Sequence, residues 1–201
     1  MLKVGLTGSI AVGKTFVCTV FEELGCFILD ADKTAREVVE PGSEGLRRIV
    51  LNFGEAVLTE YGELDRKKLG SVVFGDEPNR QLLNSLLHPL VIEEQDKWLK
   101  EKELTDPNGI AIIDAALMIE SGSYKRLDKL IVVWCNADIQ LQRLMLRDSL
   151  SLRDAQKRIS SQLSQEEKKK YADFLIDTSG GFEETRRQTT GIKGKLELLI
   201  N

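Results

Sequence analysis

The sequence predicts an α/β protein with a five-stranded parallel sheet flanked by helices, a helical insertion and a second helical block. Short apolar runs alternate with stretches in which apolar residues recur at helical spacing, which is typical of strand–helix–strand crossovers. A glycine-rich loop joins the first apolar run to the first helical stretch. With 201 residues, 42% of them hydrophobic, the chain can bury a core without disulfide or metal cross-links.

The predicted strands are the short apolar runs Leu2–Thr7, Cys26–Asp30, Ile110–Asp114, Leu130–Cys135 and Phe174–Asp177. The first helix is predicted over Lys14–Leu24, because apolar residues recur at helical spacing and Gly25 suits the position after a helix end. The last helix is predicted over Phe182–Asn201, closing the sheet.

The interval between the second and third strands is far longer than a crossover needs. We expect residues of about 32–108 to form a helical substrate-binding insertion, in which Pro41 and Gly42 mark a turn. Asn79–Lys102 has a long helical pattern, which we expect to be interrupted at His88 and Pro89 because proline disrupts helix interiors.

A second helical block of about 138–170 separates strands four and five, so the core covers about 1–31, 109–137 and 171–201. Asp138 is predicted to cap a helix that runs to Leu146, and Ser151 and Ser164 each begin a capping-box pattern. The charged run Gln165–Tyr171 is either a basic patch or a solvated helix face; its flanking glutamates favour the solvated face.

Composition excludes several classes of protein. The net charge is −4, so no overall basic field exists to bind nucleic acid or an anionic membrane. A single histidine rules out His-rich metal sites. The three cysteines form no CxxC pair, which favours a reducing compartment. With no apolar segment long enough for a signal peptide or membrane span, the sequence predicts a cytoplasmic protein.

Residues 8–15, GSIAVGKT, match the phosphate-loop pattern GxxxxGK[ST] and lie after a predicted strand and at the start of a predicted helix. Backbone N–H groups of such a loop converge on phosphates, the lysine reaches the β- and γ-oxygens, and the hydroxyl binds Mg²⁺. The alternative is a glycine-rich turn with an exposed lysine. The predicted ATP-binding residues are Gly8, Ala11, Val12, Gly13, Lys14, Thr15 and Phe16.

Carboxylates follow two of the predicted strands, at the sheet edge where ligands of parallel sheets bind. Asp32 is the candidate general base, because alternation along the strand places it on the same side as Asp30 and nearer the loop mouth. Asp32 could instead cap the following helix. Asp114 closes strand three and is a candidate to hold Mg²⁺ through water, or a plain helix cap. Glu120 follows six positions later.

Arg143 and Arg147 are spaced i, i+4, which puts them on one helix face in the second helical block. Mobile arginines that close over the γ-phosphate stabilise its charge and exclude water, so this block is predicted to be a lid. The alternative is a surface helix that pairs its own charges, with Arg147 near Asp148.

Three functional classes fit these residues: a small-molecule kinase, a nucleotide-regulated switch and a non-catalytic ATP-binding partner protein. A GTPase switch would need an NKxD guanine-binding motif, which the sequence lacks. The long insertion and the charged helical block favour an enzyme that encloses a second substrate.

Segments along essentially the whole chain match one family pattern. They are VGLTGSIAVGKT (4–15), FEELG (21–25), DADKTAREVVEPG (30–42), GELDRKKL (62–69), VF (73–74), LNSLLHPLV (83–91), ALMIESG (116–122), QRLMLRD (142–148), RISSQ (158–162), AD (172–173) and the SG pair at 179–180. The elements DAD-x-x-AR, LDR and LN…HP are specific in combination. On these segments the sequence resembles the dephospho-CoA kinase family.

The resemblance implies ATP-dependent phosphorylation of the ribose 3′-hydroxyl of dephospho-CoA, giving CoA and ADP in the last step of coenzyme A biosynthesis. It implies a P-loop kinase core, like that of nucleoside-monophosphate kinases, with a CoA-binding subdomain and a lid. ATP and dephospho-CoA are the expected partners and Mg²⁺ the expected cofactor; the oligomeric state stays open. Another P-loop nucleoside or nucleotide kinase, or a non-catalytic ATP binder, remains the alternative.

Carried over residue by residue, the family pattern implies three roles. Lys14 and Thr15 serve phosphate and Mg²⁺, Asp32 is the base, and Arg143 and Arg147 are lid cations. Acceptor contacts are expected, more weakly, from Arg36, Arg66 and His88.

The sequence departs from the family pattern in three places. The loop reads GSIAVGK where the family usually has a GGIGSGK-like segment, Ala116 begins a segment that is PLLFE-like in the family, and Thr178 replaces an asparagine. These departures bear on nucleotide affinity and donor preference and leave the reaction class unchanged.

Overall fold

The computed structural model describes residues 1–200, which contain a five-stranded parallel sheet in the order β2-β3-β1-β4-β5. The strands are β1 (Leu2–Thr7), β2 (Phe27–Asp30), β3 (Ile110–Asp114), β4 (Lys129–Trp134) and β5 (Phe174–Asp177). The predicted sheet is confirmed, and each predicted strand lies within one residue of its observed bounds.

The helices over the described residues are α1 (Lys14–Glu23), α2 (Ala31–Glu37), α3 (Glu44–Phe53), α4 (Arg66–Val73), α5 (Glu77–Thr105), α6 (Ala137–Asp148), α7 (Leu152–Ser160), α8 (Gln165–Lys169) and α9 (Gly181–Glu197). The final helix is shorter than predicted; Asn201, where the prediction ended, lies outside the described residues. In residues 1–200, no helix has both the length and the apolar character needed to cross a membrane.

β1 is central in the sheet because its residues pair with β3 on one side and with β4 on the other. Leu6 of β1 lies beside Asp114 of β3, and Asp114 lies beside Asp30 of β2. The carboxyl ends of these three strands therefore meet at one edge, where parallel sheets bind ligands.

The described chain divides into two compact units. Unit 1 comprises residues 1–30 and the chain from 101 onward, and holds the sheet. Apolar side chains of β1, β3 and β4 pack there against α1 and α9, as in the contacts of Val4, Phe21 and Ile192. Cys26 and Cys135 are buried in this core as free thiols, as expected for core cysteines.

Unit 2, Ala31–Lys100, has a separate apolar cluster that includes Val39, Ile49 and Leu69. The predicted interruption of its long helix is wrong, because α5 continues through Pro89. Proline removes one intrahelical donor, whereas α5 packs against the cluster both before Pro89, through Leu83 and Leu87, and after it, through Leu90 and Val91. Packing on both sides holds the helix together.

Side-chain caps start the helices of the block between β4 and β5. Ser151 and Ser164 accept hydrogen bonds from the backbone N–H groups of Asp154 and Glu167, as predicted. The predicted Asp138 cap is wrong, because α6 begins one residue earlier and Asn136 accepts the N–H of Asp138. Asparagine is as good an N-cap as aspartate, so Asn136 starts the helix two residues before the predicted cap.

Candidate active site

The predicted phosphate loop connects β1 to α1. A loop from a strand to a helix is the structural context in which this pattern binds phosphates. Gly13 has φ 91° and φ of Ala11 is 60°, so both adopt the left-handed conformation. For alanine this conformation costs about 1 to 2 kcal/mol. Gly8 is close to β4, and a Cβ there would overlap the carbonyl oxygen of Val133. The loop therefore has a specific, partly strained shape.

Lys14 and Asp114 form an ion pair at the end of the sheet. The Lys14 Nζ lies 2.6 Å from Asp114 Oδ1, and each side chain is 16% exposed. Lys14 is the first residue of α1 and Asp114 the last of β3. Thr15 follows in the first turn of α1 and is exposed. The structure thus brings together the residues predicted for phosphate and Mg²⁺.

Glutamine side chains hold both the backbone N–H and the backbone carbonyl of Ile10. The Ile10 N–H donates to Gln162 Oε1 at 2.8 Å, and its carbonyl accepts from Gln140 Nε2 at 2.8 Å. Gln140 is buried, and its Oε1 accepts from Gln165 Nε2. Sequence analysis missed these residues, because glutamine carries no charge pattern that marks such a contact.

Arg143 is anchored next to the loop. Its guanidinium donates to Thr178 Oγ1 at 2.8 Å and to the Thr178 carbonyl at 2.9 Å. The Thr178 hydroxyl in turn donates to the carbonyl of Val12 at 2.7 Å. Thr178, one of the departures from the family pattern, therefore links the arginine on α6 to the phosphate loop.

A cleft of about 160 Å³ opens beside these contacts. Its walls include Gly13, Phe16, Arg143, Thr178 and Phe182. Phe16 and Phe182 pack edge to face, with ring centroids 4.7 Å apart. The two phenylalanine rings and the Arg143 guanidinium on the cleft wall suit the binding of a flat aromatic ring.

Arg147 is held by a carboxylate of its own helix. It donates to both oxygens of Asp148, at 2.8 and 3.1 Å, and Arg158 of α7 donates to the same carboxylate. This is the charge pairing weighed as the alternative for Arg147. The two arginines therefore differ: Arg143 contacts the end of β5, whereas Arg147 lies within an arginine–aspartate cluster.

The Asp148 cluster predicts a pH effect. The hydrogen bonds from Arg147, with the nearby charges, hold the pKa of Asp148 below its usual range. Asp148 therefore stabilises the fold at pH values above its unfolded pKa, and this contribution disappears as the pH falls through the lowered folded pKa. We expect Arg147→Ala to raise the NMR titration midpoint of Asp148; an unchanged midpoint would contradict the pairing.

Thiol chemistry does not fit this site. Burial raises the pKa of Cys18 far above its usual value, and Asp114 raises it further. Burial also raises the pKa of Cys26 to about 11. Both thiols stay protonated near neutral pH, whereas the thiolate is the nucleophile.

The comparison with known families decides the class. Residues 2–184 match the family model described as dephospho-CoA kinase. The chain belongs to this family. A dephospho-CoA kinase of Geobacillus kaustophilus (strain HTA426) is 44% identical over 193 residues, covering 95% of this chain and 94% of the relative.

Solved structures agree with the dephospho-CoA kinase family. A dephospho-CoA kinase from Campylobacter jejuni superposes with a TM-score of 0.70 at 31% identity, covering 96% of both chains. A protein from Thermus thermophilus superposes with a TM-score of 0.81 at 27% identity, covering 97% of both chains. The resemblance inferred from the motifs is confirmed: the chain is an ATP-dependent kinase of coenzyme A biosynthesis that acts on dephospho-CoA.

Asp32, the predicted base of this dephospho-CoA kinase family member, lies in the first turn of α2. The alternation argument for it is wrong, because β2 ends at Asp30 and helix geometry begins at Ala31. The alternative of an N-cap is also wrong, since Asp32 is the second residue inside the helix. Its side chain is exposed, and a carboxylate in the first turn is favoured by the positive end of the helix dipole.

The predicted acceptor residues all lie in unit 2. Arg36 is in the last turn of α2, Arg66 begins α4 after its Asp65 cap, and His88 is on α5. All three side chains are exposed. Their roles toward dephospho-CoA stay predictions.

Proposed function

We propose that the chain transfers the γ-phosphoryl group of ATP to the 3′-hydroxyl of the dephospho-CoA ribose, with Asp32 as general base. The observation that supports this most is the phosphate loop at the end of β1, with Lys14 beside Asp114. A bond forms between the ribose oxygen and the γ-phosphorus, and the bond from γ-phosphorus to the bridging oxygen breaks. The hydroxyl proton passes to the Asp32 carboxylate, and ADP leaves.

Asp32 suits this role through its position in the chain. It follows Asp30 by two residues, and Asp30 closes β2 beside Asp114 in the sheet. A carboxylate that follows such a strand end in the chain is a suitable group to accept the hydroxyl proton while phosphoryl transfer proceeds. Arg36, one helical turn further along α2, is proposed to bind an anionic group of the acceptor together with Arg66 and His88.

Mg²⁺ fits the residues at the loop. Within residues 1–200 no cluster of three or more His, Cys, Asp or Glu side chains could enclose a metal ion. Mg²⁺ in such kinases uses few protein ligands, water and the phosphates of the nucleotide. We propose that Thr15 binds it through its hydroxyl and Asp114 through water; the ion neutralises phosphate charge.

Cations around the phosphate loop are proposed to bind the triphosphate. Lys14 is placed for the β- and γ-oxygens, and backbone N–H groups of the loop and the start of α1 supply further donors. Arg143 stabilises the charge that develops on the transferred group, and Arg147 supports it from the next turn of α6. The cleft at Phe16 accepts the base of the nucleotide.

We also propose a cytoplasmic location. Cys18, Cys26 and Cys135 are free thiols, which fits a reducing compartment.

An acceptor panel tests the proposed function. Purified protein with MgATP is offered dephospho-CoA, nucleosides and nucleoside monophosphates, and both ADP release and product mass are followed. We expect one phosphoryl group to be added to dephospho-CoA and little transfer to the other acceptors. ATP binding without transfer to any acceptor would favour a non-catalytic ATP-binding protein, and transfer to a nucleotide would favour another small-molecule kinase.

A further inference from the structure

Lys168 is fully buried, although it lies in the charged run that the sequence assigned to a solvated helix face. That interpretation is wrong for this residue. The Lys168 side chain points inward from α8. Lys169, the next residue, lies over the Trp134 ring, and Lys170 pairs with Glu167 at the surface.

The buried ammonium is fully used by polar partners. Lys168 Nζ donates to the carbonyl of Ala116 at 2.6 Å and lies 2.9 Å from Glu120 Oε1 and 3.1 Å from Oε2. Ala116 and Glu120 belong to the segment that follows β3 and Asp114. Burying a charge is costly unless it is paired, so a simple packing role would be better served by an apolar side chain.

From Glu120, contacts lead to the phosphate loop. Glu120 Oε1 also accepts the backbone N–H of Leu163 at 3.1 Å. The Leu163 carbonyl accepts from Ser9 Oγ at 3.3 Å, and the preceding residue, Gln162, accepts the N–H of Ile10. Lys168 thus positions the Glu120 carboxylate. Glu120 in turn holds the segment of Gln162 and Leu163, which contacts Ile10 and Ser9 of the phosphate loop.

We infer that Lys168 is a positioning residue for nucleotide binding: with Glu120 it locks the segment 162–168 against the phosphate loop and so sets the loop shape that receives the phosphates. This deepens the proposed function, since it concerns the same ATP site. Burial and the positive charge of Lys14 both lower the pKa of Lys168, whereas Glu120 raises it. Glu120 therefore favours the charged form of Lys168.

The test compares Lys168→Met, Glu120→Gln and the double variant Lys168→Met/Glu120→Gln with Lys170→Met. Lys170 is the matched control, because it is a lysine of the same turn whose ion pair is exposed. The double variant removes both charges at similar volume, so neither charge is left without its partner. ADP affinity by calorimetry, KM values for both substrates and melting temperature are measured.

We expect ADP affinity and kcat/KM for MgATP to fall by about tenfold or more in the three variants, since small displacements of binding groups are costly. In the same three variants, KM for dephospho-CoA should stay within about twofold of its original value. All constants of the control Lys170→Met should also stay within about twofold of those of the original protein. A folded double variant with wild-type ADP affinity would overturn the inference, as would equal losses for both substrates. Calorimetry with ADP needs no acceptor, so it tests Lys168 even if phosphoryl transfer to dephospho-CoA fails.

Discussion

Asp32→Asn is expected to lower kcat by about 10²- to 10⁴-fold, the range for loss of a general base. Asparagine keeps the size and the hydrogen-bonding oxygen of the side chain but cannot take up the proton of the ribose hydroxyl. Asp32 lies on α2, after the strand rather than in the phosphate loop, so ATP affinity should stay within about twofold.

Steady-state kinetics and nucleotide titration check this prediction. Asp30→Asn is the informative comparison, because this carboxylate closes β2 two residues earlier. We expect a smaller loss of turnover there. An Asp32→Asn enzyme with turnover within about tenfold of the original protein would exclude it as the base.

Arg143→Ala is expected to lower kcat by about 10²- to 10³-fold, comparable to removing one donor that stabilises transition-state charge. ATP binding in the ground state should also weaken, because Arg143 lines the cleft proposed for the base. We expect kcat to fall by a larger factor, because the charge that Arg143 meets is largest in the transition state. The loop keeps its support in this variant, since the hydroxyl of Thr178 still donates to Val12.

Arg147→Ala and Arg153→Ala complete the comparison. Arg147→Ala is expected to lower kcat by a smaller factor than Arg143→Ala, because the Arg147 guanidinium already pairs with Asp148. Arg153 is an exposed arginine on α7 and serves as the control. If Arg143→Ala weakened ATP binding but left kcat unchanged, Arg143 would contribute to ground-state binding and not to transition-state stabilisation.

The sheet and the phosphate loop were predictable because their signals are local. An apolar run predicts a strand such as β1. The glycine and lysine pattern that follows lies between a predicted strand and a predicted helix, which is the context of a phosphate loop. These local patterns predict Lys14 and Thr15 at the start of α1 and Asp114 at the end of β3.

The remaining site contacts depend on distant partners. Pro89 locally predicts a break, but packing of Leu87 and Leu90 overrides it. Three successive lysines look alike in sequence, yet helix geometry separates neighbours by about 100°, so Lys168 points to the interior. Contacts such as Gln162 to Ile10 join residues far apart in the chain, and no spacing rule predicts them.

Ala11 gives the phosphate loop a mechanical property. Glycine at this position would sample many backbone conformations, whereas the methyl group of alanine removes most of them. With φ of Ala11 at 60° and both the backbone N–H and the carbonyl of Ile10 hydrogen-bonded, we expect the phosphate loop to have little conformational freedom before the nucleotide binds. Its cost is a constant local strain in the folded protein, and its benefit is that little conformational entropy is lost when phosphates bind.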